Sequence, residues 1–306
     1  MIVVVCPGQG SQKPGFLTPW LEHDVYRQQL EGISQAIGID LIAHGTVSDS
    51  DTIRNTAIAQ PLIVAAGLLT LSTLLADGRR ERIGGVAGHS VGEVTAAVAS
   101  GVLTPLEAMI LVNARAQAMA DAAALEPTGM SAVVGADEDE LLELLSRLDL
   151  EPANFNGGGQ IVVAGALDGL EKLRATPPAR ARVIPLQVAG AFHTRYMAPA
   201  VERLREVAST MSATDPTVPL WSNHAGERVT AGADYLSLIV GQMSSPVRWD
   251  RTMASLHEAG VTGIVEVARA GALVGLAKRG LTGVPAVAVT TPDDLAAAIE
   301  LIDGNS

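Results

Sequence analysis

The residues of this chain best suited to do chemistry are one serine, one histidine and one arginine. Ser90 is the centre of Gly88-His89-Ser90-Val91-Gly92, a G-x-S-x-G pattern in which small residues on both sides of a serine permit a sharp strand-to-helix turn that lifts its hydroxyl into a cleft. An ordinary Ser-Gly turn has the same pentapeptide, so the setting decides. A short apolar run over 83–87 stops at Gly88, and 91–100 is small and helical in character with Gly101 where a C-terminal cap belongs, which is the context an elbow needs. A serine nucleophile requires a base. His193, in Gly190-Ala191-Phe192-His193-Thr194, is the candidate because it follows a predicted strand, where a cleft between domains would lie; a merely structural histidine is the competing reading. His89 adjoins the serine but is poorly placed to reach its hydroxyl, and His23, His44, His224 and His257 lie in surface-like or uninformative contexts. Arg115 shares a helical stripe with Ala108, Leu111, Val112, Met119 and Ala122, so a cation projects from an apolar face. A buried guanidinium must be paired, and its planar fork suits a carboxylate, either from a protein Asp or Glu or from a substrate.

Positioning these groups falls to alternating elements. A β-branched run at 1–6 breaks at Pro7-Gly8 and reads as a buried strand opening into a Gly-rich loop. Thr104, Pro105 and Glu107 form a capping box that starts a helix running to about Leu125. From 130 to 188 the pattern becomes strand (131–134), helix (137–148), strand (153–155), strand (160–164), helix (167–174) and strand (183–188), a βαββαβ order. Asp137-Glu138-Asp139-Glu140 at the first of these helix starts favours the helix dipole and needs no other role. Further strands are predicted near 218–222, 263–267 and 286–289. The fold class is α/β: an α/β-hydrolase-like, mostly parallel sheet domain over 1–127 and 191–306, with an inserted ferredoxin-like subdomain over 128–190.

Composition narrows the function classes. With 306 residues, 48% of them hydrophobic, the chain can bury a large core. A net charge of -12 argues against nucleic acid, whose phosphates are bound by clustered Lys and Arg. The single cysteine, Cys6, forbids an internal disulfide and suits a reducing compartment, and no export signal precedes Pro7; a cytoplasmic location is expected. The longest apolar stretch, 61–76, contains Thr70, Ser72 and Thr73, falls short of the roughly 20 residues of a membrane span, and is predicted as a buried helix. No cluster of His, Cys, Asp and Glu has metal-ligand spacing, and residues 303–306 read as a frayed end.

Taken in order, Pro7-Gly8-Gln9-Gly10-Ser11-Gln12, Gly88 to Glu93, Arg115 with Met119, Asn154 to Gly165, Ala191-Phe192-His193-Thr194 and Gln242 to Trp249 resemble the malonyl-CoA:acyl carrier protein transacylases and the related acyltransferase domains of fatty acid and polyketide synthases. The resemblance covers nearly the whole chain. It implies that Ser90 forms an acyl ester in a ping-pong reaction, with His193 as base and then as acid. By the same resemblance the backbone carbonyl of Gln242, rather than a carboxylate, orients the histidine, and the N–H groups of Gln9 and Val91 form the oxyanion hole. Arg115 would bind the malonyl carboxylate, and Phe192, a bulky ring before the histidine, would favour malonyl over methylmalonyl. The implied substrates are malonyl-CoA and acyl carrier protein, with no bound cofactor and a monomeric enzyme. Asn154, Asn156 and Gln160 would orient substrate or the insert loop, or serve structural hydrogen bonding. The chain departs from the pattern at Glu266-Val267-Ala268-Arg269-Ala270-Gly271, where many relatives carry Glu-Val-Gly-Pro-Gly; Arg269, Lys278 and Arg279 would supply a basic patch for an acidic carrier. Two other functions fit parts of the pattern. A serine hydrolase or thioesterase would need a triad Asp or Glu between Ser90 and His193. A non-catalytic carrier-binding module would need neither Ser90, His193 nor Arg115.

Overall fold

A computed structural model describes residues 1–188 and 190–304; Asn305 and Ser306, half of the tail read as frayed, lie outside it. Strand β1 (Ile2–Cys6) is buried at every position, as expected of a strand covered on both faces. It pairs in parallel with β2 (Gly85–Gly88), which pairs in turn with β7 (Leu220–Trp221), while on its other side lie β10 (Gly263–Glu266) and then β11 (Ala286–Ala288). A two-residue strand, β8 (Arg228–Val229), closes one edge in antiparallel fashion and gives the order β11-β10-β1-β2-β7-β8. Its register has a direct consequence. Cys6 is level with Gly88, and Val5 with Glu266, so the chain leaves β1, β2 and β10 at one carboxyl edge, and the loops after them converge there.

The second sheet is built from β3 (Thr128–Val134), β4 (Glu151–Gly157), β5 (Gln160–Ala166) and β6 (Arg182–Pro185), with helices Glu138–Leu148 and Leu167–Ala175 between them. These four strands run antiparallel in the order β6-β3-β5-β4, the ferredoxin-like arrangement. Val133, Leu141, Leu145, Phe155, Val163 and Leu173 form a small core of their own beneath the two helices. The sheet recruits one strand from far along the chain: β9 (Val247–Arg248) pairs in parallel with Asn154 and Phe155 of β4. Strand β6 is shorter than its hydrophobic pattern suggests and stops at Pro185, leaving Leu186 and Val188 to face a cavity.

Two long helices support the large sheet. Thr56–Leu74 extends the predicted apolar stretch toward the N-terminus across Pro61, and at 19 residues it is long and apolar enough to cross a membrane; 78% of its most apolar window is nevertheless buried inside the protein. Packed against it is Pro105–Ala123, started by the expected capping box: the Glu107 N–H donates to Thr104 Oγ1, and the Thr104 N–H to the Glu107 carboxylate.

Between β2 and the helix Gly92–Ala99 the chain turns sharply at Ser90, which sits at φ 53°, a left-handed conformation that a non-glycine residue adopts only when its surroundings impose it. Both flanking glycines are required by close approach. A Cβ on Gly92 would lie 2.1 Å from the Cys6 carbonyl oxygen, and one on Gly88 would lie 2.3 Å from the Glu93 nitrogen. In each case the obstacle is backbone, which cannot swing aside. Gly92→Ala should therefore lose about 3 kcal/mol of stability, the upper end for overpacking a dense core. Urea unfolding measures this directly, and an unchanged midpoint would show that the elbow can relax.

Candidate active site

The elbow presents the Ser90 hydroxyl to His193 Nε2 at 2.7 Å. His193 lies after the second sheet, also at a positive φ (64°), and is pinned by its own N–H to the Met243 carbonyl at 2.9 Å. Its Nδ1 donates to the backbone carbonyl of Gln242 at 2.8 Å. That bond fixes the tautomer: with the proton on Nδ1, Nε2 has a free lone pair and accepts from the serine. No carboxylate touches the ring among the described residues, and its Nδ1 partner is the Gln242 backbone carbonyl. Burial, and after it the nearby Arg115 charge, pushes the imidazole down to about 3, which keeps it neutral through the physiological range.

Arg115 is 1% exposed, yet no acidic residue contacts it among the described residues. Its guanidinium is cradled by amide oxygens: Nη1 donates to Gln60 Oε1 and Nη2 to Gln242 Oε1 at 2.8 Å, while Nη2 also lies 3.5 Å from Ser90 Oγ. The Nε–H has no partner among the described residues. Behind Gln242 sits Glu93, fully buried, whose carboxylate accepts from the Gln242 side-chain N–H and from the Asn223 backbone N–H at 2.8 Å. Burial pushes Glu93 up to about 7 against the pull of its hydrogen bonds and of Arg115, and burial brings Arg115 down to about 10 against the pull of Glu93.

A cavity of about 420 Å³ opens over Ser90 between the two sheets, with Gln9, Arg115, Met130, Phe192 and Leu276 among its walls. Gln9 and Val91 both line it, and neither backbone N–H has an acceptor within the described residues, so each is free to donate to a group in the cavity. Asn154, Asn156 and Gln160 face the same space from the small sheet. Asn156 donates to Gln160 Oε1 at 3.2 Å and pairs through Oδ1 with His89 Nε2 at 2.9 Å. His89 is thereby turned away from the serine, as anticipated, and bridges the elbow to the small sheet. In the departing loop, the Glu266 carboxylate accepts the N–H groups of Gly271, Leu273 and Val274 and so caps the helix Ala272–Gly280, while Arg269 Nε donates back to the Ser11 carbonyl at 2.7 Å. Arg269 is thus tied to the loop after β1, whereas Lys278 and Arg279 are exposed and Arg279 reaches the cavity rim.

Gln60, Glu93 and Asn223 escaped sequence reasoning as site residues. Gln60 is an isolated polar residue at the head of an apolar helix, and Glu93 is the acid that ends the elbow motif on a helix otherwise made of small apolar groups; those contrasts were the available signals. Nothing local marks Asn223.

A serine raised on a strand–elbow–helix turn at the carboxyl edge of a parallel sheet, with a histidine at hydrogen-bonding distance, defines the α/β enzymes built around a nucleophile elbow. Within that class the comparisons are specific. Residues 3–292 match the acyl transferase domain family, and the chain belongs to that family. The malonyl CoA-acyl carrier protein transacylase of Mycobacterium tuberculosis is 50% identical over 299 residues, which is 96% of this chain and 98% of that one. The crystal structure of MCAT from the same organism superposes with a TM-score of 0.94 at 48% identity, covering 98% of this chain and 99% of the other. A malonyl-transacylase solved in complex with its type II PKS acyl-carrier protein matches with a TM-score of 0.91 at 28% identity over 98% and 99% of the two chains.

An imidazole accepts a proton from a serine only in its neutral form, so a His193 value depressed from the usual 6.5 to about 3 extends that capacity toward acid. Modification of Ser90 by an uncharged serine-directed sulfonyl fluoride should show no inflection near pH 6.5 when followed from pH 5 to 8. A rate falling tenfold per pH unit below 6.5 would mean that the histidine titrates as an exposed one does.

Proposed function

We propose that the chain transfers a malonyl group from malonyl-CoA to the phosphopantetheine thiol of an acyl carrier protein, in ping-pong fashion, through a malonyl ester on Ser90. The observation that carries this reading is a buried arginine with no acidic partner among the described residues, 3.5 Å from the candidate nucleophile. A charge held in that place is complementary to an acyl group that itself carries a carboxylate. In a malonyl group only two C–C bonds separate the thioester carbon from the carboxylate carbon, so a guanidinium that near to Ser90 Oγ is at the reach the ester requires.

The steps follow from the geometry. His193 Nε2 takes the Ser90 proton as Oγ attacks the thioester carbonyl, and the N–H groups of Gln9 and Val91 receive the developing oxyanion. When the tetrahedral intermediate collapses, the C–S bond breaks and the imidazolium returns its proton to the departing CoA sulfur. In the second half the carrier thiol gives its proton to His193 and attacks the ester, and the Ser90 oxygen leaves with that proton restored. The Gln242 carbonyl, hydrogen-bonded to Nδ1–H, stabilises the imidazolium without becoming protonated. Phe192 narrows the cavity beside the histidine and favours malonyl over a branched methylmalonyl group. Arg279 at the cavity rim and exposed Lys278 beside it in the chain supply positive charge for an acidic carrier. All of these groups come from one chain, which we take to act as a monomer in the cytoplasm.

The rival readings are less well supported. A hydrolase triad would place an acid on His193 Nδ1, which is occupied by a carbonyl, and a docking module would have no use for an assembled Ser90–His193 pair. Intact mass after brief exposure to malonyl-CoA tests the proposal. A malonyl-sized adduct should form on the wild type, discharge to carrier protein faster than to water, and be absent from Ser90→Ala. Arg115→Ala should acylate with malonyl-CoA at least tenfold more slowly, in line with the roughly 1.5–3 kcal/mol of a charge-assisted hydrogen bond, while acetyl-CoA is far less affected. An adduct lost to water as fast as to carrier would make the protein a hydrolase. In the same assay Phe192→Ser should raise acylation by methylmalonyl-CoA relative to malonyl-CoA, and an unchanged ratio would remove Phe192 from the selectivity argument.

A further inference from the structure

We propose that Glu93 is a positioning residue that sets the polarity of the Gln242 side-chain amide, so that its oxygen rather than its nitrogen faces the Arg115 guanidinium. The inference rests on the reading of Arg115 as the binder of the malonyl carboxylate, and it explains how a buried cation is kept in place before the substrate arrives.

An amide can turn over and exchange its oxygen and NH2 at little steric cost, so its orientation is decided by its neighbours. Gln242 has three. Arg115 Nη2 can only donate, and it meets Oε1 at 2.8 Å. Glu93 meets backbone and side-chain donors on both of its oxygens, with Oε1 taken by the Asn223 N–H, and it receives the Gln242 Nε2 hydrogen on Oε2. The third neighbour, Asn223 Oδ1, accepts from the same nitrogen at 3.1 Å, and its own orientation is held because Asn223 Nδ2 donates to the Gly88 carbonyl at 2.7 Å. Glu93 is held in turn by the Asn223 N–H on Oε1 at 2.8 Å. Glu93, Asn223 and Gln242 are all buried and closely packed.

A turned amide would aim its N–H groups at the guanidinium and leave Nη2 with only its long 3.5 Å contact to Ser90 Oγ, so the cation would no longer be held in the pose that faces an acyl carboxylate. The Gln242 backbone, which holds His193, does not depend on that orientation. Glu93 therefore bears on recognition of the acyl carboxylate more than on the Ser90–His193 pair. This separates positioning from a general structural role, which would lower acylation by every donor alike.

The test is the ratio of Ser90 acylation rates with malonyl-CoA and acetyl-CoA, measured by rapid quench and intact mass on Glu93→Gln, with folding checked by circular dichroism and thermal melting. The isosteric amide removes the obligate acceptor, and the malonyl-to-acetyl ratio should fall roughly tenfold or more, mostly through KM for malonyl-CoA. Gln242→Met deletes the amide while keeping the backbone carbonyl; it should lower the ratio in the same way, and the double variant should lower it no further, because both changes break one path. A wild-type ratio in either folded single variant, or losses that add in the double, would overturn the assignment; if Glu93→Gln does not fold, Gln242→Met decides by the same criterion. Wild type and Arg115→Ala run alongside separate the two inferences: equal ratios in that pair sink the reading of Arg115 and this one with it, whereas a difference there with an unaltered Glu93→Gln removes only Glu93.

Discussion

A guanidinium that must stay charged inside a protein imposes a demand on everything around it. Taking such a cation out of water costs several kcal/mol even after relaxation, and the cost returns in full if its donors lack acceptors. A direct carboxylate partner would meet that cost and also neutralise the site, leaving nothing to attract an anionic acyl group. Here Arg115 is instead held by the oxygens of Gln60 and Gln242, with the nearest opposite charge, Glu93, one side chain further back. Amide dipoles supply the hydrogen bonds, and the field of Glu93 supports the cation without occupying its donors.

Gln242 joins that arrangement to the Ser90–His193 pair. Its side chain serves the arginine and its backbone carbonyl serves His193, so a single residue relates the cation to the imidazole. Such a link works only if the parts it joins are rigid. The sheet register brings the loops after β1, β2 and β10 to one edge, the glycines flanking Ser90 let backbone approach backbone there, and both Ser90 and His193 are held in left-handed conformations that the surrounding packing imposes. Strain of this kind persists where structure over-determines it, and it is found at the two residues whose mutual distance the chemistry depends on.

What could be read from the sequence followed the range of the signal. The elbow, the capping box of Thr104 and Glu107, and the βαββαβ order rest on neighbours within a few residues, and each is present. Ser90, His193 and Arg115 announced themselves as polar groups in small or apolar surroundings, and the structure brings them together. Among the elements missed, β6 ends early at a proline, β8 is a two-residue return against β7, too short to leave a pattern, and β9 is two residues long and exists because Asn154 and Phe155, far away in the chain, complete it. The network behind Arg115 was hidden for the same reason. Gln60, Glu93, Asn223 and Gln242 come from four separate elements, and no local pattern tells a glutamine that will cradle a cation from one that faces water.

The division of labour between the two sheets accounts for how such a site can be selective yet open to a large thioester. Every charged or strained component belongs to the large sheet and its helices, where neighbours are dense and backbone contacts fix position. The small sheet contributes neutral groups, Asn154, Asn156, Gln160 and Met130, to the cavity, and it is tied to the elbow through the His89–Asn156 hydrogen bond and to the segment after Gln242 through β9. Neutral hydrogen-bonding groups can adapt to a thioester arm of variable conformation at small cost, whereas the cation and base cannot move without losing the geometry that makes them useful. A cleft with one rigid, charged wall and one neutral wall can therefore accept the same acyl group on either of two thiols, because only the part common to both donors is held firmly.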